Sequence, residues 1–400
     1  MIILKKVLTL LLYTLLLLSL ISSHSAFADD FNEGIACISL NNNLLLNSKP
    51  PVIGAIAAIV IDADSGRVLY EKNAYSRRAI ASTTKIMTAI VALENGNLDD
   101  IVTISKSAAV VGGSSINLQV SEKLKLSELL YGLLLNSGND AAVAIAEHIG
   151  GTVEKFSDMM NKKAMELGAK DSHFLSPHGL DKDGHYSTAY DLALITKYAL
   201  KNTTFCKIVS TKSTTIYNRS LYNTNEMLEL YPGADGVKTG YTGQAGRCLV
   251  TTAKRDNMRI ISVVLNCGSR TIRAQSSKNI LDFAYENYEP YILLRQRDVL
   301  SRVRVIKGVR LEVPLVAAAE IKYPLSKEEI SEVKTQVSMP NVLFAPVNEG
   351  TVEGKIKFLL KGKVIGEALI KAGAEVVHKS FGDYLREIAK TWVESVKNIG

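Results

Sequence analysis

The sequence predicts an α+β protein: an antiparallel sheet flanked by helices, then a small all-β domain and a terminal amphipathic helix. Three observations carry this. Apolar, β-branched hairpin patterns stand at both ends of residues 51–295, with helical stretches between them rather than repeating strand–helix units. Near residue 295 the pattern shifts to short alternating stretches separated by glycine turns. Residues 381–400 return to helical spacing: Phe381, Tyr384, Leu385, Ile388, Trp392, Val393, Val396 and Ile399 share one face, and charged residues fill the other.

Each element follows in chain order. Lys5-Lys6, a leucine-rich run from Val7 to Ile21 and the sequence Ala26-Phe27-Ala28 make residues 1–28 a secretory signal peptide. The alternative, a permanent anchor, has a rather short apolar run to cross a bilayer. Residues 29–50 form an Asn-rich leader segment. Val52–Asp62 and Arg67–Tyr70 form a hairpin around Asp64-Ser65-Gly66. Ser82–Leu93 is helical. Leu124–Ile149 is helical too, interrupted by Asn136-Ser137-Gly138-Asn139, and Val153–Leu167 is another helix. Thr188 and Asp191 fit a capping box before Leu192–Leu200. Gly246–Ala253 and Met258–Asn266 form a second hairpin, and Ser277–Tyr288 closes the unit as a helix. Arg302–Ile306, Arg310–Val316, Gly354–Leu360 and Val364–Ile370 read as strands of a β-sandwich-like domain over residues 296–380.

Composition narrows the function classes. A chain of 400 residues, 47% hydrophobic and 22% charged, is too apolar for a disordered tail and long enough for several domains. Net charge is +7; beyond residue 28 there are 45 basic against 40 acidic residues. No basic run carries interleaved aromatics, so nucleic acid is not an expected partner. Four cysteines (Cys37, Cys206, Cys248, Cys267) without CxxC spacing are neither a disulfide framework nor a zinc ribbon. His173, His178 and His185 lack metal-ligand spacing and read as loop and cleft-rim residues, so neither a metal nor a cofactor is expected.

The chemistry begins at Ser82-Thr83-Thr84-Lys85. Residues i and i+3 share a helix face, so Lys85 can reach the Ser82 hydroxyl. A serine needs a base to become a nucleophile, and a lysine is a base only when burial or another cation depresses its pKa. Ser137-Gly138-Asn139 places a second hydroxyl and an amide in the break of an apolar helical stretch. Lys238-Thr239-Gly240 reads as an edge strand offering a cation, a hydroxyl and a glycine that admits substrate backbone. Each element alone also fits an ordinary helix start, loop junction or surface turn. In this order, S-x-x-K, S-x-N and K-T-G are the motif set of penicillin-recognising serine enzymes.

From about Ile53 to the C-terminus the chain resembles the D-alanyl-D-alanine carboxypeptidases among the low-molecular-weight penicillin-binding proteins. The resemblance extends to Leu129–Leu134 leading into Ser137–Ala142, Ser176-Pro177-His178-Gly179-Leu180, His185–Ala189 and Gly236–Thr242. It implies a β-lactamase/transpeptidase-like catalytic domain. It also implies a site in which Ser82 is the acylated nucleophile and Lys85 its base, Ser137 relays a proton to the leaving amine, and Asn139 holds the substrate amide. Lys238 keeps Lys85 neutral, the N–H groups of Ser82 and Tyr241 form the oxyanion hole, and Lys238, Thr239, Gly240 and Arg273 bind substrate, with Thr239 and Arg273 on its terminal carboxylate. The implied partners are peptidoglycan pentapeptide stems, β-lactams as covalent inhibitors, and the outer face of the cytoplasmic membrane through the terminal helix; docking of that helix on the β domain is the alternative. Ile80, where the family usually has proline, and Ser121, where it usually has glycine, depart from the pattern. The chain has no E-x-x-L-N glutamate of class A β-lactamases between Ser137 and Lys238, so a penicilloyl ester is expected to leave slowly. Two rivals stand beside a carboxypeptidase: an endopeptidase or transpeptidase using the same acyl-enzyme, and a wall-binding protein without activity.

Overall fold

A computed structural model describes residues 49–397. The leader pattern of residues 1–28, nearly all of the segment to residue 50, and Cys37 lie outside the described residues.

The N-terminal part is built on a five-stranded antiparallel sheet. Its strands are β1 (Ala55–Asp62), β2 (Val68–Lys72), β3 (Ala234–Thr242), β4 (Gly246–Arg255) and β5 (Met258–Cys267), in the order β2-β1-β5-β4-β3. Both expected hairpins form. In the first, Asp62 accepts hydrogen bonds from the Ser65 N–H (2.7 Å) and hydroxyl (2.6 Å), and Gly66 takes a positive φ that closes the turn. The inner strands are buried along nearly their whole length because both sheet faces are covered. Ile59, Ile61, Val250, Ile261 and Val263 enter the main core on one face. Ser262 bonds Ser277 of the helix α5 (Arg270–Asn287) on the other.

The helical layer contains α1 (Lys85–Asn95), α2 (Leu126–Leu134), α3 (Asn139–Gly150) and α4 (Ala189–Ala199). Helices α1 and α3 are buried over most of their length and pack against each other in that core. The break at Asn136–Gly138 falls between α2 and α3, as the polar insertion predicts. Three details differ from expectation. Residues 81–84 form a 3₁₀ turn before α1 rather than its first α-helical turn. Thr188 caps α4 by accepting from the Asp191 N–H (3.0 Å), but the Asp191 carboxylate turns to Asp171 N–H and the Ser172 hydroxyl, so the box is not reciprocal. Helix α5 starts seven residues earlier than Ser277, capped by the Ser269 hydroxyl on the Ile272 N–H. Arg273 therefore sits in a first helical turn and not in a loop.

The C-terminal part is a six-stranded sheet in the order 334–338, 352–360, 363–372, 312–317, 299–306 and 342–344, with a two-stranded ribbon of Glu289–Leu294 and Ile321–Leu325. Leu294 and Ile321 of the ribbon join Val303, Val313, Leu315, Ile356 and Ile370 in a separate core. Residues 289–294, on the catalytic side of residue 295 in the sequence reading, thus pair with the C-terminal part. Arg67 ties the two parts together. Its guanidinium donates to Pro324 O and Glu329 Oε1, both at 2.5 Å, and lies over the rings of Tyr288 and Tyr323. The contact holds the Glu329 carboxyl below its ordinary pKa even though burial, the largest influence, pushes the other way.

Ser121 adopts φ +65, the left-handed region that glycine occupies without cost. That is a physical reason for a glycine at this position. The final helix, α6 (Phe381–Lys397), begins at Ser380, whose hydroxyl and N–H both bond the Asp383 carboxylate. Phe381, Leu385, Ile388 and Trp392 remain exposed on it, so this face is not docked on the β domain. Among the described residues no helix is long and apolar enough to cross a membrane.

Candidate active site

Three separated segments converge on one cleft of about 930 Å³, lined by Ser82, Ser137, Thr239, Gly240, Tyr241 and Arg273 among others. Ser82 sits in the 3₁₀ turn that feeds α1. The preceding Ala81 holds φ +48, which bends the chain sharply and leaves the serine only half-buried while Lys85, one turn on, is fully enclosed. Ser137 also adopts a left-handed conformation, φ +62, before α3 begins at Asn139.

Lys85 Nζ lies 2.9 Å from Ser82 Oγ, 2.6 Å from Asn139 Oδ1 and 3.1 Å from the His178 carbonyl. Burial first, and then the charge of Lys238, push its pKa well below the ordinary lysine value; Asp140 works weakly against them. A neutral amine has two N–H groups and one lone pair. The two carbonyl-type oxygens can only accept, so they take the two N–H groups. The lone pair is then left for the Ser82 hydroxyl. This is the arrangement a general base requires.

Asn139 is fixed from both ends. Its Oδ1 accepts from Lys85, its Nδ2 donates to Gly112 O (2.6 Å), and its backbone N–H bonds Ser114 O (2.7 Å). One Nδ2 hydrogen remains for a substrate. The neighbouring Asp140, given no role in the sequence reading, anchors the facing loop. It accepts from the Ser115 hydroxyl and from the Ile116 and Leu118 N–H groups. An aspartate in the first turn of an otherwise apolar helix was the available signal.

Strand β3 forms the far wall as the sheet edge. An ideal Cβ on Gly240 would lie 3.0 Å from Ser82 N and 3.0 Å from Ala81 Cβ, so glycine lets the edge strand approach the Ser82 turn. Thr239 Oγ1 is 2.7 Å from Thr224 Oγ1. Lys238 is 1% exposed, and its Nζ has no hydrogen-bond partner among the described residues. Burial, then Arg273, lowers its pKa to about 7. Arg273 is buried and grips Glu226: Nη2 lies 2.6 Å from both carboxylate oxygens, and Nε 3.1 Å from Oε1. No sequence signal marks Glu226, because the pair spans 47 positions.

His178 and His185 are more interior than expected, while His173 stays at the surface and bonds Gly184 O. His178 supplies its backbone carbonyl to Lys85. His185 is buried behind the Ser82 turn and accepts from the Leu175 N–H through Nδ1, so Nε2–H donates to Thr84 Oγ1 (2.9 Å). Burial above all lowers both pKa values to about 4, so both rings are neutral. No group of His, Cys, Asp or Glu among the described residues has the form of a metal site. Gly179 packs over the same turn with φ +82; an added Cβ would lie 2.0 Å from Ala81 O and 2.5 Å from Thr84 Oγ1. Gly179→Ala is therefore expected to cost roughly 1–3 kcal/mol by overpacking, and to displace the serine. Thermal melting together with fluorescent-penicillin labelling checks this; unchanged stability and labelling would mean that the turn moves freely.

A buried lysine 2.9 Å from a half-exposed serine at a sheet edge fits a serine hydrolase. Known proteins make the family specific. The D-alanyl-D-alanine carboxypeptidase family model, peptidase S11, matches residues 46–269, and the C-terminal domain of penicillin-binding protein 5 matches residues 288–378. The chain is 38% identical over 351 residues to the D-alanyl-D-alanine carboxypeptidase DacF of Bacillus subtilis, covering 85% of this chain and 90% of that protein. Penicillin-binding protein 5 of Haemophilus influenzae superposes with TM-score 0.71 at 34% identity, over 83% of this chain and all of that one. A mutant of the Streptomyces K15 DD-transpeptidase superposes with TM-score 0.58 at 37% identity, over 59% of this chain and all of that one. The chain belongs to the D-alanyl-D-alanine carboxypeptidase family.

Proposed function

We propose that this chain is an extracytoplasmic serine carboxypeptidase that removes the terminal D-alanine from peptidoglycan pentapeptide stems. The observation that carries the reading is Lys85 Nζ 2.9 Å from Ser82 Oγ, with its other two contacts on oxygens that can only accept. Ser82 Oγ attacks the carbonyl of the penultimate D-alanine, and its proton passes to Lys85. The oxyanion is met by the N–H groups of Ser82 and Tyr241, an arrangement typically worth about 3–4 kcal/mol of barrier. Collapse breaks the C–N bond, Ser137 relays a proton to the departing amine, and D-alanine leaves. Water then adds to the ester, Ser82 recovers its proton, and the shortened stem is released. Lys238 and Thr239 face the substrate carboxylate together with Arg273, while Asn139 orients the substrate amide and braces Lys85. β-Lactams enter the same step because their strained amide acylates Ser82.

The compartment and the membrane contact belong to this proposal. The leader pattern of residues 1–28 directs the chain across the cytoplasmic membrane. The exposed apolar face of α6, with Trp392 upon it, suits the membrane interface.

A transpeptidase or endopeptidase is the second reading, favoured by the similarity to the Streptomyces enzyme. The test is mass spectrometry of pentapeptide muropeptides, monomeric and cross-linked, after incubation with the chain and with Ser82→Ala. Loss of one alanine from monomers, dependent on Ser82, is expected. Ser82-dependent dimer cleavage or formation selects the second reading. No Ser82-dependent change by a folded chain rejects both and leaves a wall-binding protein.

A further inference from the structure

Half-buried Arg247 lines the cleft beside Tyr241. The two residues stand opposite each other where β4 pairs with β3, and the Arg247 guanidinium lies over the Tyr241 ring, 4.4 Å from its centre. A guanidinium held by its face keeps its in-plane donors for another partner. Arg270, three residues beyond the Cys267 that pairs with Arg247, lines the cleft as well. Nearby Arg255, Arg259 and Arg273 each meet a carboxylate. Arg247 and Arg270 meet none among the described residues. Strand β3 is the sheet edge, so its outer side is open to an extended peptide. With the leaving D-alanine at Lys238 and Thr239 and the scissile carbonyl at Tyr241, the stem residue before the two D-alanines falls beyond Tyr241. Adjacent side chains of a strand point to opposite faces. On one face Thr242 donates to the Asp181 carboxylate (2.6 Å). The cleft opens on the other face: Tyr241, Arg247 and Arg270 line it, and Thr242 and Asp181 do not.

We propose that Arg247, with Arg270 from the start of α5, is a specificity-determining site for the third stem residue: it takes a carboxylate at the end of that side chain and repels a side chain that ends in an ammonium alone. The inference rests on the carboxypeptidase reading and names the stems that site prefers. Diaminopimelate and lysine share the same carbon chain and the same far amine, and they differ by one carboxylate on it. Two guanidiniums without acids supply both halves of the discrimination. The planar fork of Arg247 offers a bidentate contact to the acid, and the two like charges disfavour the bare ammonium. Stems with diaminopimelate are therefore the better substrates.

The experiment compares kcat/KM for D-alanine release from two pentapeptides, L-Ala-γ-D-Glu-X-D-Ala-D-Ala, in which X is diaminopimelate or lysine, at neutral pH. The native chain is expected to favour diaminopimelate about tenfold or more, about 1.4 kcal/mol of discrimination. In Arg247→Gln that ratio is expected to fall about tenfold, because the loss is concentrated on the diaminopimelate stem. Arg247→Lys, which keeps the charge without the planar fork, should lie between. A native ratio near one, or one that favours lysine, overturns the proposal. So does an Arg247→Gln variant that slows equally on both stems, since Arg247 would then only hold Tyr241 in place. The level below is separable: a folded native chain that releases D-alanine from neither peptide overturns the carboxypeptidase reading and this inference with it, whereas equal release from both overturns this inference alone.

Discussion

Lys85→Met is expected to slow acylation of Ser82 by penicillin at least about 10³-fold, within the span that a positioned general base contributes. The geometry sets this expectation more tightly than the motif does. A protonated lysine could donate to all three of its oxygen neighbours and would give Ser82 nothing. With its pKa depressed by burial and by Lys238, the amine spends its two hydrogens on Asn139 and His178, and only the lone pair faces Ser82. Methionine fills similar volume but offers no lone pair of useful basicity. It also leaves the Asn139 and His178 oxygens without their donor, so the variant should be no more stable than the native chain. Stopped-flow acylation with a fluorescent penicillin measures the rate. A loss smaller than tenfold would move the base elsewhere, with Lys238 the next candidate. The same assignment fixes a sign for pH: acidification protonates Lys85, consumes the lone pair, and lowers the acylation rate without altering the final extent of labelling.

The parts of this fold that local chemistry dictates were legible in the sequence. Both hairpins, the break at Asn136–Gly138 and the β-rich C-terminal part follow from period and turn residues, and they formed where the pattern put them. Boundaries governed by caps were less legible. The first two turns of α5 are polar and lack a stripe, and only the Ser269 cap marks them. The three short strands 321–325, 334–338 and 342–344 are sustained by partners far along the chain, so no local period announces them. The site divides in the same way. Ser82 and Lys85 meet through helical spacing that any reader of the sequence can draw. The grip of Glu226 on Arg273, the His178 carbonyl on Lys85 and the closure of Gly179 over Ala81 are products of tertiary folding. They modify how the legible residues behave. Lys85 has two distant oxygens placed to take its N–H groups, and Arg273 is engaged through Nε and Nη2 by a distant carboxylate.

Lys238→Met is expected to make the protein more stable and less active at once. A cationic side chain that is 1% exposed and whose Nζ has no hydrogen-bond partner among the described residues is costly to fold. Its pKa falls from 10.5 to about 7, first through burial and then through Arg273. The unfolded chain therefore binds a proton more readily than the folded one between those values, and native stability rises with pH across that window. Below pH 7 the cost is at its full size, on the order of a few kcal/mol. Methionine removes it. The melting temperature of Lys238→Met should exceed that of the native chain by several degrees at pH 6–7, and the gap should close as pH approaches 10.5. Turnover should move the other way, with kcat/KM for a carboxylate-ended peptide falling at least about 10²-fold, since a bound substrate carboxylate favours the charged form of the amine proposed to face it and Met has no amine to charge. Scanning calorimetry from pH 6 to 10 and peptide hydrolysis at pH 7.5 read the two effects separately. A native chain whose stability is flat over this range would show that Lys238 finds a partner for its charge in solution. A stabilised but fully active variant would show that the substrate carboxylate is held without it.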